Sequence, residues 1–121
     1  MLIPPAVARE FGRSLPDSIE VRALSQPVGP QILGASLGQG ESEALALALE
    51  IKSNLILLDD RAARRLAVAL RLPLLGTLGL LLRAKNSGLI PALRPRMEAL
   101  RVLPFHISSR LYDAVLKTAG E

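Results

Sequence analysis

Apolar residues along the chain fall into short blocks, each bounded by proline, glycine or charge. Pro4-Pro5 suits the first turn of a helix that continues over Ala6 to Phe11 and stops at Gly12. Ile19 to Leu24 alternates apolar and charged positions, the pattern of a strand with one wet face. Pro27 to Gly40 holds four glycines and two prolines, with room for a short helix around Gln31 to Leu37. Glu41 to Ile51 is rich in Ala, Leu and Glu, and acids in its first turn complement the helix dipole, so a helix is predicted there. Leu55 to Leu58 is wholly apolar, as strands buried on both faces are.

The same alternation continues downstream. Arg61 to Leu70 predicts a helix capped by Asp60. Leu74-Leu75 predicts a brief strand ending at Gly76. Thr77 is placed to cap a helix over Leu78 to Asn86, with Gly88 as its stop. Pro91 to Arg101 predicts a further helix, offset by Pro95, and Leu103 to Ile107 a final strand. Ser108 or Ser109 then caps a helix that runs to Ala119. Short apolar strands alternating with helices argue for an α/β fold, a three-layer α/β/α arrangement around a short parallel sheet. The 121 residues fit a single domain, 1–121, without repeats or low-complexity tracts.

Composition narrows the function. Half the residues are hydrophobic, which excludes a disordered tail. Aromatics are 2%, too few for a module that stacks bases on an aromatic platform. With no cysteine and only His106, a metal site has to be built from carboxylates around a hard cation such as Mg²⁺ or Mn²⁺. The most apolar run, Leu72 to Leu82, is 11 residues long and broken by Pro73, Gly76 and Gly79, against about 20 for a membrane span. No membrane association and a cytoplasmic location are the expectations.

Charge is distributed unevenly. The net charge is +4, yet residues 1–60 carry 4 bases against 8 acids and residues 61–121 carry 11 bases against 3 acids. An acidic half suits a divalent cation, and a basic half suits a phosphate backbone.

Candidate chemistry sits at three acidic positions. Asp59 and Asp60 follow the apolar strand, and ligands of open α/β sheets bind beyond the carboxyl ends of strands. Adjacent carboxylates repel, and a cation relieves that repulsion. Glu41 and Glu43 open the Ala-rich helix; being two apart they cannot share a face, whereas Glu43 and Glu50 can. Glu10 lies on the first helix. The bland alternatives are an N-cap for Asp60, dipole complementation for Glu41 and Glu43, and an ordinary surface acid for Glu10. A phosphate loop, a dinucleotide fingerprint and a serine hydrolase triad are missing. A phospho-receiver fits poorly, because the acid pair falls mid-chain.

The segments Ile3-Pro4-Pro5-Ala6-Val7-Ala8-Arg9-Glu10, Gly40-Glu41-Ser42-Glu43-Ala44-Leu45 and Leu57-Leu58-Asp59-Asp60-Arg61 occur in that order. Gly76-Thr77-Leu78-Gly79 and Lys85-Asn86-Ser87-Gly88-Leu89-Ile90-Pro91 follow. Together they resemble the PIN-domain superfamily, and more closely a bacterial PIN-like subgroup of nucleic-acid-binding proteins. The resemblance implies a metal-dependent ribonuclease, with Glu10, Glu43 and Asp60 as catalytic acids. It implies Mg²⁺ or Mn²⁺ held by Glu10, Glu43, Asp59 and Asp60. Arg61, Arg64, Arg65, Arg83 and Lys85 are the candidates for RNA phosphates. Many such proteins are toxins, which adds an antitoxin as an expected partner.

Such proteins usually begin with a strand ending in Asp, upstream of the Pro-Pro helix. This chain starts at that helix, so the expectation is an N-terminally truncated version with one carboxylate fewer. The sheet then has an open position, and an exposed edge favours a homo-oligomer. Two functional readings stand side by side: a hydrolase, and a non-catalytic nucleic-acid-binding or interaction module.

Overall fold

A computed structural model describes residues 1–26 and 37–121. The short helix expected around Gln31 to Leu37 lies largely outside the described residues. The architecture is mixed α/β and divides into two compact units, Met1–Leu75 and Gly76–Glu121.

The first unit opens with β1 (Leu2–Ile3), an element ahead of the expected starting helix. Ile3 precedes Pro4, and a residue before proline is pushed into extended backbone. The helix α1 (Pro5–Phe11) follows, with proline in its first turn and Gly12 at φ 69° ending it. β2 (Glu20–Val21) then pairs in parallel with β1, Leu2 opposite Glu20 and Ile3 opposite Val21. The main-chain amides of Glu20 and Arg22 donate to the carbonyls of Met1 and Ile3 at 2.8 and 2.9 Å. Pro4 stops the ladder after two residues, so the expected six-residue strand is cut to two.

The helix α2 (Gln39–Glu50) contributes the buried residues Leu45, Ala46, Leu47 and Ala48. β3 (Ile56–Leu57), α3 (Arg61–Ala69) and β4 (Leu74–Leu75) form a parallel β-α-β unit, with Ile56 opposite Leu74 and Leu57 opposite Leu75. The expectation of a strand buried on both faces is corrected here. Ile56 and Leu58 are 8% and 7% exposed, but Leu57 is 41% exposed, so one face packs and the other stays open. Among the described residues the strands form two separate two-stranded sheets, with no strand joining them into one.

The core of this unit is Leu45, Ala48, Ile56, Leu58, Ala63 and Ala67, with Leu66, Leu72 and Leu74 around it. Alanines at the contacts of α2 and α3 let the helices sit close without large side chains to interdigitate.

The second unit is helical: α4 (Thr77–Asn86), α5 (Arg94–Arg101) and α6 (Ser109–Thr118). Gly76, not Thr77, holds the N-cap position of α4. Pro95 lies in the first turn of α5, where its missing N–H costs nothing, so that helix starts at Arg94 rather than Pro91. Ser108 caps α6, its hydroxyl accepting from the Leu111 amide at 3.1 Å. The expected strand over Leu103 to Ile107 does not form. Pro104 removes a ladder donor, and the Phe105 amide instead closes a tight turn on the Leu103 carbonyl at 2.6 Å. Leu93, Met97, Tyr112 and Leu116 make the core.

Glu121 holds this unit together. Its Oε2 accepts from the Leu93 amide at 2.7 Å and from Lys85 Nζ at 2.8 Å, and its Oε1 accepts from the Arg94 amide at 3.2 Å. Lys85 also donates to the Ala119 carbonyl. Thus one carboxylate satisfies orphan donors at the start of α5 and ties them to α4. Lys85, followed by the Leu93 amide, lowers the Glu121 pKa to about 2 from an ordinary 4.5. A depressed carboxylate pKa contributes stability that is present above the unfolded value and disappears as pH falls through the folded one. Thermal melts are therefore expected to lose stability progressively from about pH 4.5 down to pH 2. Glu121→Gln should melt lower at neutral pH and lose less over that window.

Candidate functional site

Three of the four candidate acids lie at helix starts or against them, and the main chain explains why. The N-cap of α2 is Gly38, which offers no side-chain acceptor. A Cβ at Gly38 would lie 2.3 Å from Glu41 Oε2, so the Glu41 carboxylate folds back over that glycine. A Cβ at Gly40 would lie 2.3 Å from Glu10 Oε1 and 2.8 Å from its Cδ. Glycine at 40 therefore leaves the space into which α1 lays the Glu10 carboxylate, against the first turn of α2.

Glu43, one turn further along α2, reaches back to α1. Its Oε1 accepts from the Ala6 amide at 3.1 Å, one of the first-turn donors that a helix leaves unpaired. Its Oε2 accepts from Gln39 Nε2 at 3.3 Å and lies 3.8 Å from Arg9 Nη2. The side chain is 12% exposed, so these donors are its surroundings rather than a passing contact. Glu10 and Glu43 thus both lie at the α1–α2 seam, Glu10 against Gly40 and Glu43 against Ala6.

Glu50, seven residues beyond Glu43, faces a different partner. It accepts from the amides of Ser25 and Gln26 at 3.0 and 2.9 Å, which lowers its pKa below the ordinary carboxylate value.

Asp59 and Asp60 follow β3, as the apolar run predicts. Asp60 is the N-cap of α3, its Oδ2 accepting from the Ala63 amide at 2.9 Å. Arg64 returns from the first turn of α3 and donates to the Leu58 carbonyl at 2.8 Å. The strand end is therefore fixed by a carboxylate on one side and a guanidinium on the other. Among the described residues, no three of His, Cys, Asp and Glu gather closely enough to hold a metal ion. The acids form one pair at the α1–α2 seam and another at the β3–α3 turn, and the two pairs do not merge into one cluster.

The candidate cations divide likewise. Arg61 and Arg65 are exposed and one turn apart on α3. Arg83 is exposed on α4, while the Lys85 ammonium is spent on Ala119 and Glu121. Sequence reasoning missed a cluster in the second unit. Arg101 stacks 3.7 Å from the Tyr112 ring centroid and lies 3.7 Å from Glu98 Oε1, which accepts from the Tyr112 hydroxyl. That hydrogen bond raises the Tyr112 pKa. The spacing of Glu98 and Arg101 on one helix face was its only sequence signal.

The family profile described as PIN domain matches residues 1–121. The chain belongs to the PIN-domain family. PIN domains have a nuclease-like, nucleic-acid-related fold and generally use divalent metals. Among curated proteins and solved structures, nothing matches at a significant level. No helix among the described residues is long and apolar enough to cross a membrane.

The donor chemistry of this PIN-domain chain, carboxylates without sulfur, is right for Mg²⁺ or Mn²⁺. The geometry does not fit one. A cation needs several oxygens facing a common point, whereas both Glu43 oxygens face N–H donors and Asp60 Oδ2 faces a helix amide. In this arrangement the acids carry structural loads. Glu43→Ala would leave the Ala6 amide without its acceptor, and is expected to cost about 1–3 kcal/mol in urea unfolding. Glu43→Gln, which keeps a carbonyl oxygen, should cost less. Asp60→Ala should cost about 1 kcal/mol, the usual worth of an N-cap.

Proposed function

We propose that this PIN-domain protein binds RNA through its phosphate backbone, on the face of α3 that carries Arg61 and Arg65. The observation that supports this reading is the placement of those two guanidinium groups. They are exposed, one turn apart, and open the helix that follows β3. Arg64, by donating to the Leu58 carbonyl, fixes the strand-to-helix turn that presents them. Exposed arginines one turn apart present a repeating positive charge to a chain of phosphates and read little sequence. Nucleic acid as partner follows from the family.

Ribonuclease activity is the finer reading. It requires Glu10, Glu43, Asp59 and Asp60 to converge on Mg²⁺ or Mn²⁺, and the two separate acid pairs do not support that convergence. No hydrolytic step is therefore assigned to these residues. Toxin activity, an antitoxin partner and a homo-oligomer belong to that same finer reading.

Binding of a fluorescent 12-nucleotide oligouridine, followed by anisotropy from 50 to 200 mM salt, tests the proposal. Affinity should fall steeply with salt, at roughly 0.7 in the log–log slope per phosphate contact for single strands. Arg61→Ala with Arg65→Ala should reduce that slope by about 1.4. Salt-insensitive binding, or none, overturns the reading. In parallel, Mn²⁺ should leave the melting temperature unchanged. A rise with Mn²⁺ that Asp60→Asn abolishes would instead show that a cation draws the acids together, and the ribonuclease reading would take over.

A further inference from the structure

The second unit leaves apolar surface uncovered where its charge is positive. This unit carries seven bases against three acids. After α5 the chain passes through Val102, 84% exposed, and Leu103, 55% exposed, with His106 exposed three residues on. Arg101, Leu103, Pro104, Phe105, His106 and Ile107 line a shallow groove of about 460 Å³. The Phe105 amide closes a tight turn on the Leu103 carbonyl within this lining segment.

Charge decides what suits the groove. Among the described residues no acid lines the groove, and Glu98, which lies 3.7 Å from Arg101, already accepts from Tyr112. Arg101, one of the lining residues, has its guanidinium held against the Tyr112 ring, which restricts its orientation in advance. A preorganised guanidinium beside an aromatic ring and an exposed imidazole suits a planar ring bearing an anionic group. Unpaired bases are recognised in this way, by stacking on aromatic rings and guanidinium planes.

We infer that this groove is a nucleotide subsite, in which an unpaired base lies against Phe105 and Arg101 and its phosphate meets His106. A single ring is no stacking platform, so the subsite takes one nucleotide rather than a run. The inference rests on the RNA reading above and names a second contact for it.

The test is oligouridine anisotropy with the full chain at 100 mM salt, comparing wild type, Phe105→Ala, His106→Ala and Arg61→Ala/Arg65→Ala. Phe105→Ala should weaken binding roughly tenfold, as loss of one stacked base does. His106→Ala should weaken it several-fold. Because His106 is exposed, its variant keeps the wild-type melting temperature and remains informative if Phe105→Ala unfolds. A 4-thiouridine-substituted oligomer should cross-link within residues 101–107. If the α3 double variant weakens binding while Phe105→Ala and His106→Ala bind as wild type does and cross-links fall elsewhere, the subsite is overturned and the RNA reading stands. If wild type binds no oligouridine, both fall. If a synthetic acidic, leucine-containing peptide binds and loses affinity in Phe105→Ala while oligouridine does not, the groove is a protein-docking face and the inference is overturned.

Discussion

The Glu43 carboxylate between α1 and α2 is the constraint on which the chemistry of the first unit turns. A carboxylate has two oxygens and a limited set of lone pairs. Here one oxygen completes the first turn of α1 at Ala6, and the other takes Gln39 with Arg9 nearby. Water is nearly excluded from the side chain, so withdrawing it would strand a main-chain donor. The seam it closes carries α1, and with it Glu10 and the β1–β2 pair. The carboxylate that a cation would need is the one the fold uses.

This use of acids recurs throughout the chain. Glu50 closes the turn at Ser25 and Gln26, Asp60 caps α3, and Glu121 caps α5. Each spends charge on N–H groups that secondary structure leaves unpaired. The reason lies in the core. Three of the six buried residues in this core, Ala48, Ala63 and Ala67, are alanine, and each described strand is two residues long, so neither burial nor a wide sheet supplies much cohesion. Side-chain-to-main-chain hydrogen bonds then hold segments that a larger core would hold by packing.

What the sequence made legible was local. Pro4-Pro5, Asp60 and Ser108 each announce a helix start through chemistry confined to three or four residues, and each does what it announces. Leu74-Leu75 ending at Gly76 is likewise a local signal that held. The failures were non-local. That Glu43 reaches Ala6, 37 positions away, is invisible to helical periodicity. Gly40 looked like one more glycine in a turn-rich stretch, when its missing side chain makes room for Glu10. Leu103 to Ile107 had strand composition, but a strand needs a neighbour, and Pro104 withholds one of the donors that would secure it. The three acids were grouped by the order of motifs along the chain, which fixes neither distance nor direction.

The separation of charge takes a different meaning once the acids are placed. By arithmetic the first sixty residues are acidic and the rest basic. By geometry, many acids of both units lie at helix starts or against amides, where they offset the dipoles of the helices they cap. Arg61, Arg65, Arg83 and Arg96 stand exposed instead. A carboxylate anchored to a helix amide keeps its charge but faces the positive end of a dipole, so its field is partly cancelled before it reaches solvent. On the first unit an approaching polyanion meets the exposed Arg61 and Arg65 beside exposed acids such as Asp59 and Asp60, whereas the second unit carries seven bases against three acids. The first unit is not an acidic partner to a basic one. Its bases and acids balance, and the exposed Arg61 and Arg65 of α3 are cations it offers to a nucleic acid.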